Sequence, residues 1–227
     1  MSGISFTSYS MSGQSSGSSS QKRVFIGLDI PSHLFKGVDS YLKKEIDKLG
    51  QKYGINQSFN TENNKHITLT IPPFNINSRD IQKVKDIIDN KISFAQQNNK
   101  LPSVKVSLYQ KGVRKLGKNA LVFHVDKKSS TGMNRLKNTF DYVVKKLNQQ
   151  FSLNLKVQDV PHITLGRMTN NFVNLISNNT QARKDLDNLL NAIASPREMK
   201  SPSALTGLKV VLYIWDGIMR LLLKKYK

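Results

Sequence analysis

His66-Ile67-Thr68-Leu69 recurs, letter for letter, as His162-Ile163-Thr164-Leu165. The chain has 4 His among 227 residues, so composition alone makes a second His followed by the same three residues a rare coincidence, and an internal repeat is the better account. A short run of β-branched and apolar residues reads as a strand. In a strand, side chains at i and i+2 share a face, so each His and its Thr point one way while Ile and Leu point the other, into a core. Each copy therefore offers one imidazole and one hydroxyl side by side.

Outward from the first copy, residues 65–71 form a strand stopped by Pro72 and Pro73. Residues 23–29 form an earlier strand bounded by Pro31. Between them, Ser32 caps a helix whose apolar positions Leu34, Val38, Leu42, Ile46 and Leu49 recur every three to four residues, with Gly50 as its end. Ser78 caps a second helix carrying Ile81, Val84, Ile87, Ile88 and Phe94. Residues 104–109 and 120–125 are strand-like and joined by a Gly- and Lys-rich loop, residues 111–119. The order then repeats around the second copy. Met133, Leu136, Phe140, Val143 and Leu147 make an amphipathic helix, residues 151–157 a short strand and residues 161–168 a stronger one. Helical patterns follow over 172–176 and 182–193, and residues 208–215 and 218–223 form a hairpin about Asp216-Gly217. This order predicts an α+β protein: a bilobal, pseudo-twofold fold with two antiparallel sheets facing each other across a central groove and helices on the outside. Residues 22–227 are read as one bilobal domain, with lobes at 22–128 and 129–227.

Residues 1–21 contain ten Ser, three Gly and no charged side chain, too little apolar surface to offset the entropy of ordering, and are read as a disordered head. They carry neither the apolar core of a signal peptide nor the Arg-rich amphipathic pattern of a transit peptide. No apolar stretch approaches the roughly 20 residues of a membrane-spanning helix, so no membrane partner is expected. Lys+Arg number 35 against 15 Asp+Glu, a net charge of +20, which points to a polyanionic partner such as RNA, DNA or an anionic lipid surface. With 0 Cys, a disulfide scaffold, a thiolate zinc site and a Cys nucleophile are excluded, and a reducing compartment is favoured. The expectation is a cytoplasmic monomer, with the nucleus as the other address.

Two imidazoles with ordinary pKa near 6.5 can serve at neutral pH as one neutral base and one protonated acid. Cleaving a phosphodiester requires that pair: the attacking oxygen loses a proton and the leaving oxygen gains one. Two Thr hydroxyls can donate to the non-bridging oxygens as negative charge builds in the transition state. Two His are too few for a catalytic zinc site, which wants three protein ligands. No His-Glu-x-x-His is present, and no Gly-x-Ser-x-Gly lies between a strand and a helix. No metal or other cofactor is expected.

Paired His-x-Thr-x motifs roughly a hundred residues apart, each on a strand of a bilobal α+β fold, resemble the two-histidine (2H) phosphoesterase superfamily. The resemblance spans residues 22–227. Arg23-Val24-Phe25-Ile26-Gly27-Leu28-Asp29-Ile30-Pro31 is similar to the first strand and helix start of the bacterial-type RNA 2′,5′-ligase and cyclic phosphodiesterase branch. Pro161-His162-Ile163-Thr164-Leu165-Gly166-Arg167 resembles that branch's second motif and, through Leu-Gly, that of the 2′,3′-cyclic nucleotide 3′-phosphodiesterases. Residues 112–125 resemble the A-kinase-anchor-like 2′,5′-phosphodiesterases. The resemblance implies a metal-independent phosphodiesterase acting on RNA-derived 2′-linked phosphates, including 2′,5′-oligoadenylates, or 2′,3′-cyclic phosphates. His66 and His162 would be the acid/base pair, with either in either role, and Thr68 and Thr164 would hold the phosphate. The alternatives are an RNA 3′-end-trimming nuclease that leaves a cyclic phosphate, and an RNA-binding module without turnover.

Further residues are candidates for holding an oligoribonucleotide or RNA end. Arg167 can pair with a phosphate, although at i+5 from His162 a regular strand places it on the opposite face. Phe25, Tyr213 and Trp215 can stack a base or pack a core. Lys115, with Lys111, Arg114 and Lys118, belongs to a basic loop able to track a phosphate backbone, and Lys224, Lys225 and Lys227 form a second cluster. His33 and His124 read as structural.

Overall fold

The structure is a computed structural model describing residues 20–98, 105–108, 112–193, 204–206, 208–214 and 220–222. The Ser-rich head as far as residue 19, Trp215, the turn at Asp216-Gly217, Lys111 and the C-terminal lysines lie outside the described residues.

Thirteen strands and five helices follow one another along the described chain. In the first part they are β1 (Gln21–Asp29), α1 (Lys36–Lys52), β2 (Phe59–Thr61), β3 (His66–Thr68), β4 (Thr70–Ile71), β5 (Phe74–Asn77) and α2 (Ile81–Gln97). Next come β6 (Val106–Ser107), β7 (Arg114–Leu116), β8 (Ala120–His124), α3 (Met133–Phe151), β9 (Lys156–Val157) and β10 (His162–Met168). The last are α4 (Asn170–Asn178), α5 (Thr180–Ala192), β11 (Ala204–Leu205), β12 (Lys209–Ile214) and β13 (Arg220–Leu222).

The protein is α+β with antiparallel pairing throughout, as the element order implies. The strands expected as two facing sheets are fused into a single nine-stranded sheet, ordered β13-β12-β1-β3-β10-β8-β7, with β5 on β1 and β2 on β10. The fusion point is a single pair, Ile67 with Ile163, at the centre of the two repeats. The halves of the sheet do not coincide with the halves of the sequence. The C-terminal strands β12 and β13 build onto β1, and β7 and β8 from before residue 128 build onto β10. Exchange of strands in both directions makes each half of the sheet depend on the whole chain.

Inward-facing residues of the strands, Val24, Ile26, Leu28, Ile67, Phe123, Ile163 and Leu165, share one core with the apolar stripes of the helices. Val38, Leu42 and Ile46 of α1, Val84 and Ile88 of α2, and Leu136, Phe140 and Val143 of α3 are all buried there. The helices thus cover one face of the sheet.

Local signals shift several expected boundaries. Neither Ser32 nor Ser78 caps a helix: a 3₁₀ turn, Ser32–Phe35, follows Pro31, and Asn77 accepts the Arg79 amide at 3.3 Å before a second 3₁₀ turn. Gly50 lies inside α1 instead of ending it, because a side chain there would collide with Ser58. The chain reverses at Gly54, whose φ of +79° suits glycine. The expected loop 111–119 contains strand β7, hairpinned onto β8. The expected strand over 65–71 breaks at Leu69, where Thr70 and Ile71 leave the main sheet to pair with β9.

Candidate active site

The Ile67–Ile163 pair fixes the geometry of the repeats. Both residues point into the core, fully buried, so His66, Thr68, His162 and Thr164 project from the opposite face, and all four are partly exposed. About an antiparallel pair, residue 66 falls beside 164 and residue 68 beside 162. The two imidazoles therefore occupy one diagonal of a quadrilateral and the two hydroxyls the other. Diagonal neighbours across antiparallel strands lie about 7–8 Å apart, with Cβ atoms somewhat closer, a span that two imidazoles can close around one phosphate.

Each imidazole is held in the same way. His66 Nδ1 lies 2.8 Å from the Asn64 carbonyl oxygen, and His162 Nδ1 lies 3.0 Å from that of Val160. A carbonyl only accepts, so Nδ1 carries the hydrogen in both rings. In the neutral ring Nε2 then holds the lone pair of a base, and in the charged ring it holds the proton of an acid.

The loop that orients His66 is built on a buried ammonium. Lys65, 0% exposed, donates to Asp39 Oδ2 of α1 and to the Glu62 carbonyl, each at 2.7 Å, and the Glu62 amide donates to the Leu165 carbonyl of β10 at 2.8 Å. Asp39 has its carboxyl raised above the ordinary carboxylate value because burial outweighs the attraction of Lys65.

Surrounding residues divide by side. Phe25 and Tyr213 stack at 4.7 Å with planes 5° apart, and each ring lies within 5 Å of His66, at 4.8 and 4.9 Å. They are 7% and 6% exposed, which leaves little ring face for a base; their place is against the imidazole. The Tyr213 hydroxyl donates to Asp29 Oδ1 at 3.0 Å, and Asp29 pairs across β1–β3 with His66 itself. Gly27 makes room for this packing, since a Cβ there would meet the Ile67 carbonyl at 2.9 Å and the Tyr213 ring at 3.1 Å.

On the other side, strand parity revises the expectations for Arg167 and Lys115. A bulge at Leu165 shifts the β10–β8 register, so Thr164 opposes Val122 but Gly166 opposes Leu121 and Arg167 opposes Ala120. Leu165 and Gly166 both turn toward the core, where Phe59 lies so close to Gly166 that no side chain fits. Arg167 is returned to the face of His162 and Thr164. Lys115 opposes the core residue Leu121 and so lies on the far face of β7, whereas Arg114 opposes Val122 and shares the face of Thr164.

The sequence reading of His124 as structural misses its place beside the second motif. It pairs directly with His162 across β8–β10, with ring centroids 6.4 Å apart and edge-on. Its Nδ1 is buried without a hydrogen-bond partner. Its pKa is lowered by burial first, then by the charges of His162 and Arg114. The missing signal was pairing: residue 124 has no Thr two places on, and only the register sets it beside the second motif. Among the described residues no group of three or more His, Cys, Asp or Glu side chains is placed to hold a metal ion, and no helix is long and apolar enough to cross a membrane.

No protein-family model matches the chain, and no curated protein matches it. Among solved structures it is similar to that of Kluyveromyces marxianus Usb1, with 16% identity and a TM-score of 0.53 over 89% of this chain and 98% of that one. A structure of Kluyveromyces marxianus Usb1 with uridine monophosphate gives the same identity and TM-score and is covered over 97% of its length. The likeness extends through nearly the whole of both chains and is one of fold.

Proposed function

We propose that this protein is a metal-independent phosphodiesterase acting on RNA-derived substrates, 2′-linked or 2′,3′-cyclic, with His66 and His162 as its acid/base pair. The observation that carries the reading is the pairing of Ile67 with Ile163, which sets two imidazole–hydroxyl pairs on one face with both Nδ1 atoms committed to backbone carbonyls. A phosphorus atom above the pair meets one neutral Nε2 and one protonated Nε2. The first takes the proton of the attacking oxygen and the second gives a proton to the leaving oxygen. The hydroxyls of Thr68 and Thr164 donate to the non-bridging oxygens, where charge accumulates. With water attacking a 2′,3′-cyclic phosphate the product is a monoester. With a neighbouring ribose hydroxyl attacking a linear diester, the products are a cyclic phosphate and a freed 5′-hydroxyl.

That second outcome is the trimming reading, and the fold shared with Usb1, solved with uridine monophosphate, brings uridine-ended oligoribonucleotides into the test. The experiment incubates the protein in excess EDTA with a 2′-5′ adenylate trimer, a 3′-5′ uridylate trimer and a 2′,3′-cyclic nucleotide, and follows the phosphate by ³¹P NMR. We expect turnover of at least one, and a fall of roughly 10²-fold or more in His66→Ala and in His162→Ala. Equal rates in parent and variants would remove the mechanism, and tight binding without turnover would make the protein an RNA-binding module.

A further inference from the structure

We infer that the sheet face beside His162 holds a second phosphate, so that the ligand of this site is a nucleotide bearing two phosphates. The inference rests on the reading of the site as a phosphodiester site and extends it.

The two flanks of the quadrilateral differ in chemistry. Beyond His66 stand the nearly buried rings of Phe25 and Tyr213 and the carboxylate of Asp29. Those rings leave little open surface beside the first motif. Beyond His162 the register collects Arg167, Arg114 and His124 on one face around Val122. The bulge places Arg167 one step beyond Thr164, opposite Ala120. A strand repeat of two residues is roughly 6.6 Å, comparable to the separation of neighbouring phosphates along a nucleotide strand. Arg114 reaches the same ground from the next strand. Its Nη1 contact with Asn191 Oδ1, at 3.2 Å and exposed to solvent, can be exchanged for an anion without stranding a charge.

His124 supplies the observation that the scissile phosphate does not explain. Its Nδ1 is buried and unpartnered, and its neighbours His162 and Arg114 oppose its protonation. A buried orphan donor or acceptor is costly unless a ligand completes it. A phosphate held by Arg114 and Arg167 would offset the two positive neighbours of His124 and favour its imidazolium. A dinucleotide or a nucleoside 3′,5′-bisphosphate supplies that anion from the same molecule that delivers a phosphate to His66 and His162.

The test compares uridine 3′,5′-bisphosphate with uridine monophosphate by calorimetry, on the full chain and with no need for turnover. We expect the bisphosphate to bind at least roughly tenfold more tightly, the scale of one charge-assisted hydrogen bond. In Arg114→Ala and in His124→Gln the ratio should fall to within about twofold, with Arg114→Lys keeping part of it. In parallel, imidazole NMR should show the His124 pKa rise with the bisphosphate and not with the monophosphate. Equal affinities for the two ligands in the parent protein, or a ratio that survives Arg114→Ala, would overturn the second site. Cleavage of the uridylate trimer alongside equal affinities would leave the catalytic reading standing without it.

Discussion

At His124 a ring is held where partial burial first, and the charges of His162 and Arg114 after it, oppose its charging. The consequence for folding has a definite sign. With the folded pKa below the ordinary value near 6.5, the unfolded chain binds more protons than the native one between the two values, so stability rises with pH across that window. The contribution is complete above about pH 6.5 and is lost as pH falls through the lowered folded value. Urea midpoints measured from pH 7.5 to pH 5 should therefore fall more steeply in the parent than in His124→Gln, which has nothing to protonate. Identical slopes would mean that His124 is solvated and that its Nδ1 is not an orphan. The same ring shows why the site was partly hidden in the sequence. His66, Thr68, His162 and Thr164 announce themselves because the i, i+2 rule needs no knowledge of partners. His124, Asp29 and Gly27 join them only through cross-strand register, which one sequence does not disclose.

Between elements, the tie that matters most to the first motif is the ion pair joining α1 to the residue before β3. Lys65 is wholly buried and Asp39 largely so, and removing one member of such a pair strands the other charge. Lys65→Met, close in volume, should cost about 3 kcal/mol in denaturant unfolding, the lower end of what breaking a buried pair costs. Lys65→Met with Asp39→Leu should recover most of that loss. A double variant no more stable than the single one would show that the ammonium acts through the Glu62 carbonyl instead. Elements also mark the limit of sequence reading. The helices α1, α2, α3 and α5 follow from their apolar periodicity, and β1 and β10 from their β-branched runs. The strands β2 and β5 have three and four ladder pairs and a half-polar or polar composition, and nothing local distinguishes Phe59–Thr61 from loop. The bulge at Leu165 is another such limit. Counting by twos sends Arg167 to the wrong face, and what forces the extra residue is Phe59 pressed against Gly166 from a strand a hundred residues earlier.

For the molecule entire, a net charge of +20 and a small site make different demands on an anionic ligand, and salt separates them. Many of the lysines lie on the helical layer, away from the His–Thr face, and several are already paired there: Lys43 with Asp47, Lys83 with Asp80, Lys137 with Asp141 and Lys52 with Asp185. Asp185 shows how such a pairing acts, its carboxyl lowered to about 2 chiefly by Lys52, with help from Gln181 and Tyr53. Such charges raise the field around the protein and speed encounter, but they do not touch a strand lying on the opposite face. On the proposed function, the groups at the quadrilateral and its basic flank are the ones among the described residues that neutralise phosphates directly. For two phosphates on a single strand, counterion release gives a slope of log K against log salt near −1.4, since each contributes about −0.7. We therefore expect an oligouridylate to lose affinity gently between 50 and 500 mM salt, with nearly all of the change in the association rate and a dissociation rate that scarcely moves. Fluorescence anisotropy and stopped-flow measurements on the His66→Ala variant, which holds the ligand without consuming it, give both quantities. A slope of about −4 or steeper, carried by dissociation, would mean that the strand runs on across the lysine-bearing surface and that the two-phosphate site is only its beginning.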